Sequence, residues 1–464
     1  MGVFGALNAA VSGLRAQSFA LENISGNIAN SQTTGFKRQD TSFFELVSDQ
    51  GSTQASQAAG SVTFASRSTN EIQGSIEAAD QDTFIAINGD GYFVVEEATG
   101  FVDGETIFGG SDLYTRAGDF QLSREGFFQN GSGYFLKGFP LDAVTGNRSG
   151  SIPEIIELDT DFLPAEATSE IQYRANLPSF PRTTNADATI PDSELLDPSL
   201  LVGVTAPAVP DEGVATISAD DATTFIESSI SGGAVTAFDP LGNAVDIQLR
   251  FGKTQSAGVG TEDIYNLYFL SDSTATGTDP AWTRVPQQYV FDGTGQLDPA
   301  VASVTIPNLT VNGNDLGNIT LNHGANGITQ FSDPDGVIDI SELTQDGVPA
   351  GEFIDVAIND GGRLTATYSN GQAIDIAEIA IASFNADAGL RRIDGGGAFA
   401  ATAASGAPIL EASGFIIGSA LEASNTDIAD EFTKLIVTQQ AYTANSRVVT
   451  TADELLTEVI NIIR

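Results

Sequence analysis

The stretch "GNIANSQTTGFKRQ", residues 26–39, separates a segment with helical periodicity from a long region of short, turn-rich segments. Asn side chains can replace backbone hydrogen-bond partners where a helix stops, and Gly35 can adopt a left-handed conformation that other residues avoid. Phe36 supplies an apolar anchor for the turn. The stretch therefore predicts a helix end followed by a redirecting turn, with an ordinary polar loop as the alternative.

The segment before this turn has the periodicity of an amphipathic helix, because positions 7, 11, 14, 18, 21, 25 and 28 alternate at spacings of four and three and all except Ser18 and Ser25 are apolar. The predicted seam consists of Leu7, Val11, Leu14, Leu21 and Ile28. Beside it lie four small residues, Ala6, Ala10, Gly13 and Ala20. Their small size predicts that a partner helix can approach this helix closely.

The last segment of the chain predicts a second, longer helix. Residues 425–464 contain neither Pro nor Gly, and a helix of that extent is roughly 60 Å long. Asn425 or Thr426 is expected to cap its start. The predicted seam consists of Ile428, Phe432, Leu435, Tyr442, Val449, Leu456 and Ile463. Polar residues interrupt this seam at Gln439, Ser446 and Asp453, so the helix does not resemble one strand of a self-sufficient coiled coil.

Two interpretations of these helices remain open. They can pack on the protein's own core, or they can form an assembly surface. Flexible-looking sequence, residues 48–70 and 401–415, lies just inside each helix, and helices on such linkers are marginal alone. We therefore expect the two ends to meet each other and copies from neighbouring molecules.

The sequence between the helices has the pattern of β-structure, with short strands separated by turn residues. Residues 82–97 predict two strands around an Asn-Gly-Asp-Gly turn, and residues 353–384 predict hairpins at "NDGG" and "SNGQ". In residues 243–252, "NAVDIQLRFG", apolar and polar residues alternate, as in a half-buried strand. Similar short strands separated by turn residues predict a sandwich or barrel for the middle of the chain.

The predicted fold is mostly β with long terminal α-helices, which form a coiled-coil-like domain around nested, discontinuous β domains. The expected domains are a terminal helical domain (1–32 and 424–464), an extended connector (33–75 and 401–423), a discontinuous β domain (76–150 and 351–400) and an inserted outer β domain (151–350). The length of 464 residues agrees with about three domains.

Composition excludes several classes of partner. With 61 acidic and 19 basic residues, the net charge is -42, which opposes binding to nucleic acid or to an anionic membrane surface. No apolar run approaches the roughly 18 residues of a membrane span. The chain has no Cys, and its opening residues lack the pattern of a cleaved signal peptide. We expect neither nucleic acid as a partner nor insertion into a membrane.

The sequence offers little material for catalysis. His323 is the only histidine, so triads and histidine-rich metal sites are not expected, and we interpret it as a loop residue. Residues 331–343, "FSDPDGVIDISEL", partly match a calcium loop, but Phe331 occupies the first ligand position. We therefore interpret this stretch as a polar turn. The predictions are no enzymatic activity, no cofactor and no metal, with a carboxylate-based glycosidase as a remote alternative.

Both ends of the chain resemble the flagellar rod and hook proteins. The stretch "VSGLRAQSFALENISGNIANSQTTGFKRQDTSF" is similar to the N-terminal signature of this family, and "GSALEASNTDIADEFTKLIVTQQAYTANSRVVTTADELLTEVINII" is similar to its C-terminal helix. The residues that carry the N-terminal motif are Asn27, Ala29, Asn30, Thr33, Gly35, Phe36 and Lys37. Gly26 departs from the family, which commonly has another Asn there. In the middle, "AVTAFDPLGNAVDIQLRF" resembles the hook members in particular.

The resemblance implies a structural protein that polymerises into a curved tube and transmits torque, with the helices lining the inside. It also implies an extracellular location in the flagellar hook and export without a cleaved signal peptide. The implied partners are other copies of the chain, the distal rod protein, the hook cap protein, the hook-filament junction protein and the flagellar export apparatus. A distal rod protein is the alternative within the family, and a secreted β-rich adhesin or ion-binding module is the alternative outside it.

Overall fold

The computed structural model of the chain describes residues 3–46, 61–102, 105–142, 145–202, 213–258, 261–410 and 414–463. The chain divides into two compact units. The terminal unit comprises Met1–Thr160, Ile354–Thr367 and Gln372–Arg464, and the inserted unit comprises Asp161–Phe353 and Tyr368–Gly371. Most of the predicted flexible stretch 48–70 lies outside the described residues, because residues 47–60 are not among them.

The α-helices of the described chain are α1 (Val3–Ala29), α2 (Ala222–Glu227) and α3 (Ile428–Ile463). The prediction of long terminal helices is confirmed. The predicted cap of α3 is wrong, because the Oδ1 atom of Asp427 accepts the backbone N–H groups of Ala429 and Asp430. Across the described ranges, no helix carries an apolar stretch of the length that a lipid bilayer requires.

The strands before the insert belong to the terminal unit. They are β1 (Gln39–Leu46), β2 (Ser61–Ser68), β3 (Ile76–Ala78), β4 (Ile85–Asn88), β5 (Tyr92–Val102), β6 (Glu105–Phe108), β7 (Leu113–Thr115), β8 (Gln121–Leu122), β9 (Phe128–Gln129), β10 (Tyr134–Pro140) and β11 (Glu154–Ile155). β1 and β2 form a separate antiparallel pair. The two strands predicted within residues 82–97 are β4 and β5, and Gly89 and Gly91 between them have positive φ.

The strands of the inserted unit form two five-stranded sheets and one short antiparallel pair. They are β12 (Glu170–Asn176), β13 (Thr216–Ser218), β14 (Ile230–Phe238), β15 (Ala244–Gln255), β16 (Asp263–Leu270), β17 (Pro280–Phe291), β18 (Ser303–Ile306), β19 (Thr310–Val311), β20 (Asn314–Asp315), β21 (Ile319–Asn322), β22 (Ile328–Thr329) and β23 (Asp339–Gln345). One sheet has the order β18-β21-β12-β22 with β23 beside β12, and the other has the order β13-β17-β16-β15-β14. Both sheets contribute to one buried core.

The remaining strands follow the insert. They are β24 (Phe353–Ile358), β25 (Arg363–Tyr368), β26 (Ala373–Ile379), β27 (Ile381–Ser383), β28 (Arg391–Ile393), β29 (Ala398–Ala400), β30 (Ile409–Leu410), β31 (Phe415–Gly418) and β32 (Ala420–Glu422). β24, β25 and β26 form the two predicted hairpins, and β26 joins β10 in the large sheet of the terminal unit. β31 pairs with β4 and β32 pairs with β3, so the two ends of the chain are paired just before α3 begins.

The alternating pattern in β15 determines how the inserted unit is built. Val245, Ile247, Leu249 and Phe251 are all buried in the shared core, whereas Asp246 and Gln248 on the opposite face are exposed. The half-buried strand predicted from residues 243–252 is therefore confirmed. Burial of the apolar face supplies the main driving force for pairing the two sheets.

His323 lies in a loop, as predicted, but it is fully buried. Its Nδ1 atom lies 2.8 Å from the backbone oxygen of Tyr173, and its Nε2 atom lies 3.0 Å from the hydroxyl oxygen of Tyr289. Burial lowers the pKa of His323 below its usual 6.5, because the cationic form loses its hydration. The ring therefore acts as a neutral hydrogen-bonding link within the inserted unit.

We expect His323 to make the inserted unit sensitive to acid. The unfolded chain takes up a proton near pH 6.5 and the folded chain does so only at lower pH, so the stabilisation is complete above pH 6.5 and is lost as pH falls. Urea unfolding of the wild type and of His323→Gln between pH 7.5 and pH 5 measures this. The advantage of the wild type should shrink by up to about 1.4 kcal/mol per pH unit. Parallel pH profiles would contradict the assignment.

Candidate assembly site

The two terminal helices pack against each other in opposite directions. A Cβ atom on Gly13 would lie 3.0 Å from the Nδ2 atom of Asn445, so the helix backbone of α1 contacts this side chain closely. Fourteen residues further along α1, the Nδ2 atom of Asn27 donates to a carboxylate oxygen of Glu431 at 3.1 Å. Glu431 precedes Asn445 by the same fourteen residues, because 27 - 13 = 445 - 431. The contact is therefore antiparallel and in register over two heptads.

Small and polar side chains, together with Ile24, occupy the buried positions of the two helices. The buried residues are Ala10, Ala16, Ala20, Ile24 and Asn27 on α1, and Glu431, Thr438 and Ala452 on α3. The prediction that small residues on α1 permit a close approach is confirmed. The α3 residues that face α1 recur every seven positions and include a carboxylate and a hydroxyl group.

The predicted seam residues lie beside this contact. Leu7, Val11, Leu14, Leu21, Ile28, Leu435, Val449 and Leu456 are half-buried, and Ile428, Phe432 and Tyr442 are exposed. The side chain of Ile463 lies outside the described residues. The buried side of α3 that faces α1 contains Glu431, whereas the neighbouring Phe432, which the sequence placed in the seam, is exposed. Large apolar side chains consequently remain accessible after the helices have paired.

The β1–β2 hairpin packs on α1. The rings of Phe19 and Phe64 lie 4.7 Å apart between centroids, and the Nδ2 atom of Asn23 donates to the hydroxyl oxygen of Thr41 at 2.8 Å. These strands lie within the stretch 33–75 that the sequence predicts as an extended connector. Its role as a connector remains a prediction.

The family motif closes the end of α1. The side chain of Asn30 donates to the backbone oxygen of Gly26 at 2.9 Å, and the hydroxyl group of Thr33 donates to the side-chain oxygen of Asn30 at 3.2 Å. Asn27 forms a pair of hydrogen bonds, both 2.9 Å long, with the backbone N–H and C=O of Gln39. Ala29 is exposed and takes no part in these hydrogen bonds. The motif therefore reverses the chain and fastens the start of β1 to α1.

Gly35 and Phe36 dock the turn onto the β-strands. Gly35 has φ +66°, and a Cβ atom there would lie only 2.4 Å from the backbone carbon of Arg116. Its N–H group donates to the backbone oxygen of Glu422 at 2.8 Å. Phe36 is buried, and the guanidinium of Arg392 lies 4.9 Å from the centre of its ring. Only glycine fits the position of Gly35 without displacing the neighbouring backbone.

Lys37 lies in a buried ionic cluster. Its Nζ atom donates to Glu422 at 2.5 Å and to the backbone oxygen of Ile72 at 2.8 Å. Arg116 donates to the other carboxylate oxygen of Glu422 at 3.0 Å. Burial lowers the pKa of Lys37, and the contact with Glu422 opposes this effect. We call Lys37, Arg116 and Glu422 the joint.

A second polar group lies in the first two turns of α3. Lys434 donates to Glu431 at 2.6 Å and to Asp40 at 3.2 Å. Partial burial alone would lower the pKa of Lys434, but its hydrogen bonds to Glu431 and Asp40 outweigh burial and raise it. Asn27 completes this group through its hydrogen bond to Glu431. α1, the start of β1 and α3 therefore share one polar cluster.

The sequence did not identify Glu422, Arg116 or Glu431 as functional residues. In sequence, each resembles an ordinary surface charge, and the buried position of Glu422 depends on the pairing of β32 with β3, where Glu422 lies opposite Ile76. Asn425, expected to cap α3, instead accepts the backbone N–H of Arg38 at 2.8 Å. The polar residues that interrupt the apolar seam, Gln439, Ser446 and Asp453, are exposed and gave no signal for the residues that face α1.

The stretch that partly matches a calcium loop forms a polar turn. The Oδ1 atom of Asp333 accepts the backbone N–H groups of Asp335 and Gly336, at 2.6 and 3.1 Å. Glu342 lies in β23, where its carboxylate is 3.3 Å from the guanidinium of Arg174. Both carboxylates are therefore engaged by the protein itself.

Four family models match the chain in the order of the segments described above. They are "Flagella basal body rod protein" at residues 7–37, "Flagellar hook protein FlgE/F/G D1 domain" at 86–175, "Flagellar basal body protein FlaE D2 domain" at 205–348 and "Flagellar basal body rod FlgEFG protein C-terminal" at 417–462. The first and last models cover the two sides of the joint.

Two curated relatives match this chain over all or nearly all of its length. The flagellar hook protein FlgE of Brucella suis is 28% identical over 470 aligned residues, which cover all of both chains. The flagellar hook protein FlgE of Escherichia coli is 26% identical and covers 98% of this chain and 100% of its own length. A crystal structure of Helicobacter pylori flagellar hook protein FlgE2 covers 75% of this chain and 100% of its own, with a TM-score of 0.47 and 16% identity.

We expect Gly35→Ala to destabilise the terminal unit by about 3 kcal/mol or more, because backbone strain adds to a clash with Arg116. Gly110→Ala is the matched control, because Gly110 has φ +71° in the same unit but open space around its Cβ position. The control should lose only the strain, about 1–2 kcal/mol. Urea unfolding of both variants measures the difference, and equal losses would contradict close docking at Gly35.

Proposed function

The chain belongs to the flagellar hook protein family and is a structural subunit of the hook, and we propose that it self-assembles there into a flexible helical tube. The tube acts as a universal joint that transmits torque from the rod to the filament. An open, head-to-tail contact between identical copies extends into such a helical polymer. The function requires no catalytic residue, cofactor or metal ion.

The observation that carries this proposal is the accessible apolar surface of the helix pair. The exposed large apolar residues of the two helices are Phe4, Ile428, Phe432, Ile436, Val437, Tyr442, Val448 and Leu455. Exposed apolar groups in this number mark an interaction surface, because water disfavours them. The proposed occupants are the terminal helices of neighbouring copies.

The proposed assembly interface combines these exposed residues with the half-buried seam. It includes Leu7, Val11, Leu14, Leu21 and Ile28 of α1 and Leu435, Val449 and Leu456 of α3. Each side chain retains apolar area that a second copy can cover. The small and polar contact between α1 and α3 stays within one chain, so one helix pair can act as a unit in assembly.

The family also supports proposals about location and partners. We place the tube outside the cell, between the rod and the filament, after export without a cleaved signal peptide. The proposed partners are the distal rod protein, the hook cap protein, the hook-filament junction protein and the flagellar export apparatus. The net charge of -42 supports the absence of nucleic acid from this set.

We expect Phe432→Asp to weaken tube formation while the helix pair stays intact. Phe432 is 49% exposed, so its replacement removes little packing within the chain but places a charge on the proposed interface. The critical concentration for assembly should rise about tenfold or more. Sedimentation and electron microscopy measure assembly, and circular dichroism measures helix content. Leu241→Asp, the same change at an exposed residue of the inserted unit, is the control and should still form tubes.

We expect a chain without residues 1–30 and 425–464 to fold and stay soluble but not to assemble. It keeps Lys37, Arg116 and Glu422 together with both paired strand ends, and it loses all of α1 and α3. Analytical ultracentrifugation tests for a monomer at concentrations where the full chain forms tubes. Tubes formed by the shortened chain would contradict the proposed interface.

A further inference from the structure

The carboxylate of Glu422 brings distant parts of the chain together inside the terminal unit. Glu422 is fully buried in β32, and it accepts the backbone N–H of Gly74 at 2.8 Å in addition to Lys37 and Arg116. Its own backbone oxygen accepts the N–H of Gly35. The turn after α1, the loop after β2, the end of β7 and the segment before α3 therefore meet at one residue.

The charges of the joint come from different segments. Lys37 belongs to the N-terminal segment, residues 3–46, and Glu422 belongs to the C-terminal segment, residues 414–463. Arg116 belongs to the strands between these two segments. The half-buried carboxylate of Asp387 also acts electrostatically on both cations. If the N-terminal segment docked alone, Lys37 would be buried without its carboxylate partner. An unpaired buried charge is strongly unfavourable, and that cost opposes docking of one segment without the other.

The polar cluster of Asn27, Asp40, Glu431 and Lys434 also takes its members from both segments. Glu431 is fully buried and comes from α3, and its partner Asn27 is buried and comes from α1. Lys434 of α3 reaches Asp40 at the start of β1. The pairs Asn27–Glu431 and Lys434–Asp40 again join the N-terminal segment to the C-terminal segment, whereas Lys434–Glu431 lies within α3.

We propose that the Lys37–Glu422 ion pair makes docking of the N-terminal and C-terminal segments mutually dependent, so that both helices are positioned together or not at all. Lys37 and Glu422 are thus positioning residues that act through the helices. The consequence for assembly rests on the proposed function. Only a chain with both helices positioned presents the complete interface to the next copy.

The test is a double-mutant cycle in the full-length chain with Lys37→Met, Glu422→Gln and both together. Glu422→Gln should be the most damaging, because it leaves Lys37 and Arg116 without the buried carboxylate. Lys37→Met should be milder, because Glu422 keeps Arg116 and the N–H of Gly74. Adding Lys37→Met to Glu422→Gln should then improve assembly, lowering the critical concentration by roughly tenfold relative to Glu422→Gln alone.

Hydrogen exchange of the dilute monomer supplies a readout that does not depend on tubes. Glu422→Gln should speed exchange in residues 33–39 as well as in residues 415–431, and Lys37→Met should speed exchange in both segments to a smaller degree. The half-exposed pair Arg148 and Glu378 of the same unit is the control. Arg148→Met and Glu378→Gln should have small, additive effects and leave both segments unchanged.

The outcomes separate the coupling from the proposed function. The coupling is overturned if Lys37→Met fails to improve Glu422→Gln, or if each substitution loosens only its own segment. If Glu422→Gln does not fold, Lys37→Met alone decides, because unchanged exchange in residues 415–431 would overturn the proposal. Wild-type chains that never form tubes would overturn the proposed function, while the exchange measurements would still test the coupling.

Discussion

The helical part of the terminal unit depends on the antiparallel contact between α1 and α3. Its register is fixed at one end by Gly13 against Asn445 and at the other by the hydrogen bond between Asn27 and Glu431. Small side chains allow the two backbones to approach, and the buried polar contact penalises any other register because it would separate Asn27 from Glu431. The contact therefore owes its geometry to size and polarity, and less to the bulk of apolar side chains.

The sequence predicted the regular parts of the fold because they have a period. The alternation of apolar and polar residues in Val245–Phe251 predicts β15. The absence of Pro and Gly from residues 425–464 predicts α3. The domain limits and the assembly residues remain predictions. Hydrophobic periodicity also gave no information about the polar residues that the helices bury.

The candidate site shows why periodicity was insufficient. Phe432 continues the apolar pattern, yet Glu431 beside it occupies the buried line and Phe432 is exposed. A buried carboxylate resembles a surface carboxylate in sequence, and its environment depends on partners hundreds of residues away, such as Lys37 for Glu422. The motif around Asn27 and Gly35 was recognisable as a turn, but its partners followed only from the pairing of β3 with β32.

Polar and small-residue contacts thus hold the helix pair within one chain, whereas the large apolar side chains remain for the proposed contacts between copies. Hydrogen-bonded ions and small residues specify one geometry, but their net contribution to stability is modest because they lose hydration on burial. Large apolar side chains give more free energy on burial and tolerate more variation in geometry. A chain that buried Phe432 and Leu455 between its own helices would have little apolar area left for the next copy. Using polar contacts to fix the helix pair leaves the apolar contacts for polymerisation, where some sliding between copies is compatible with a tube that bends.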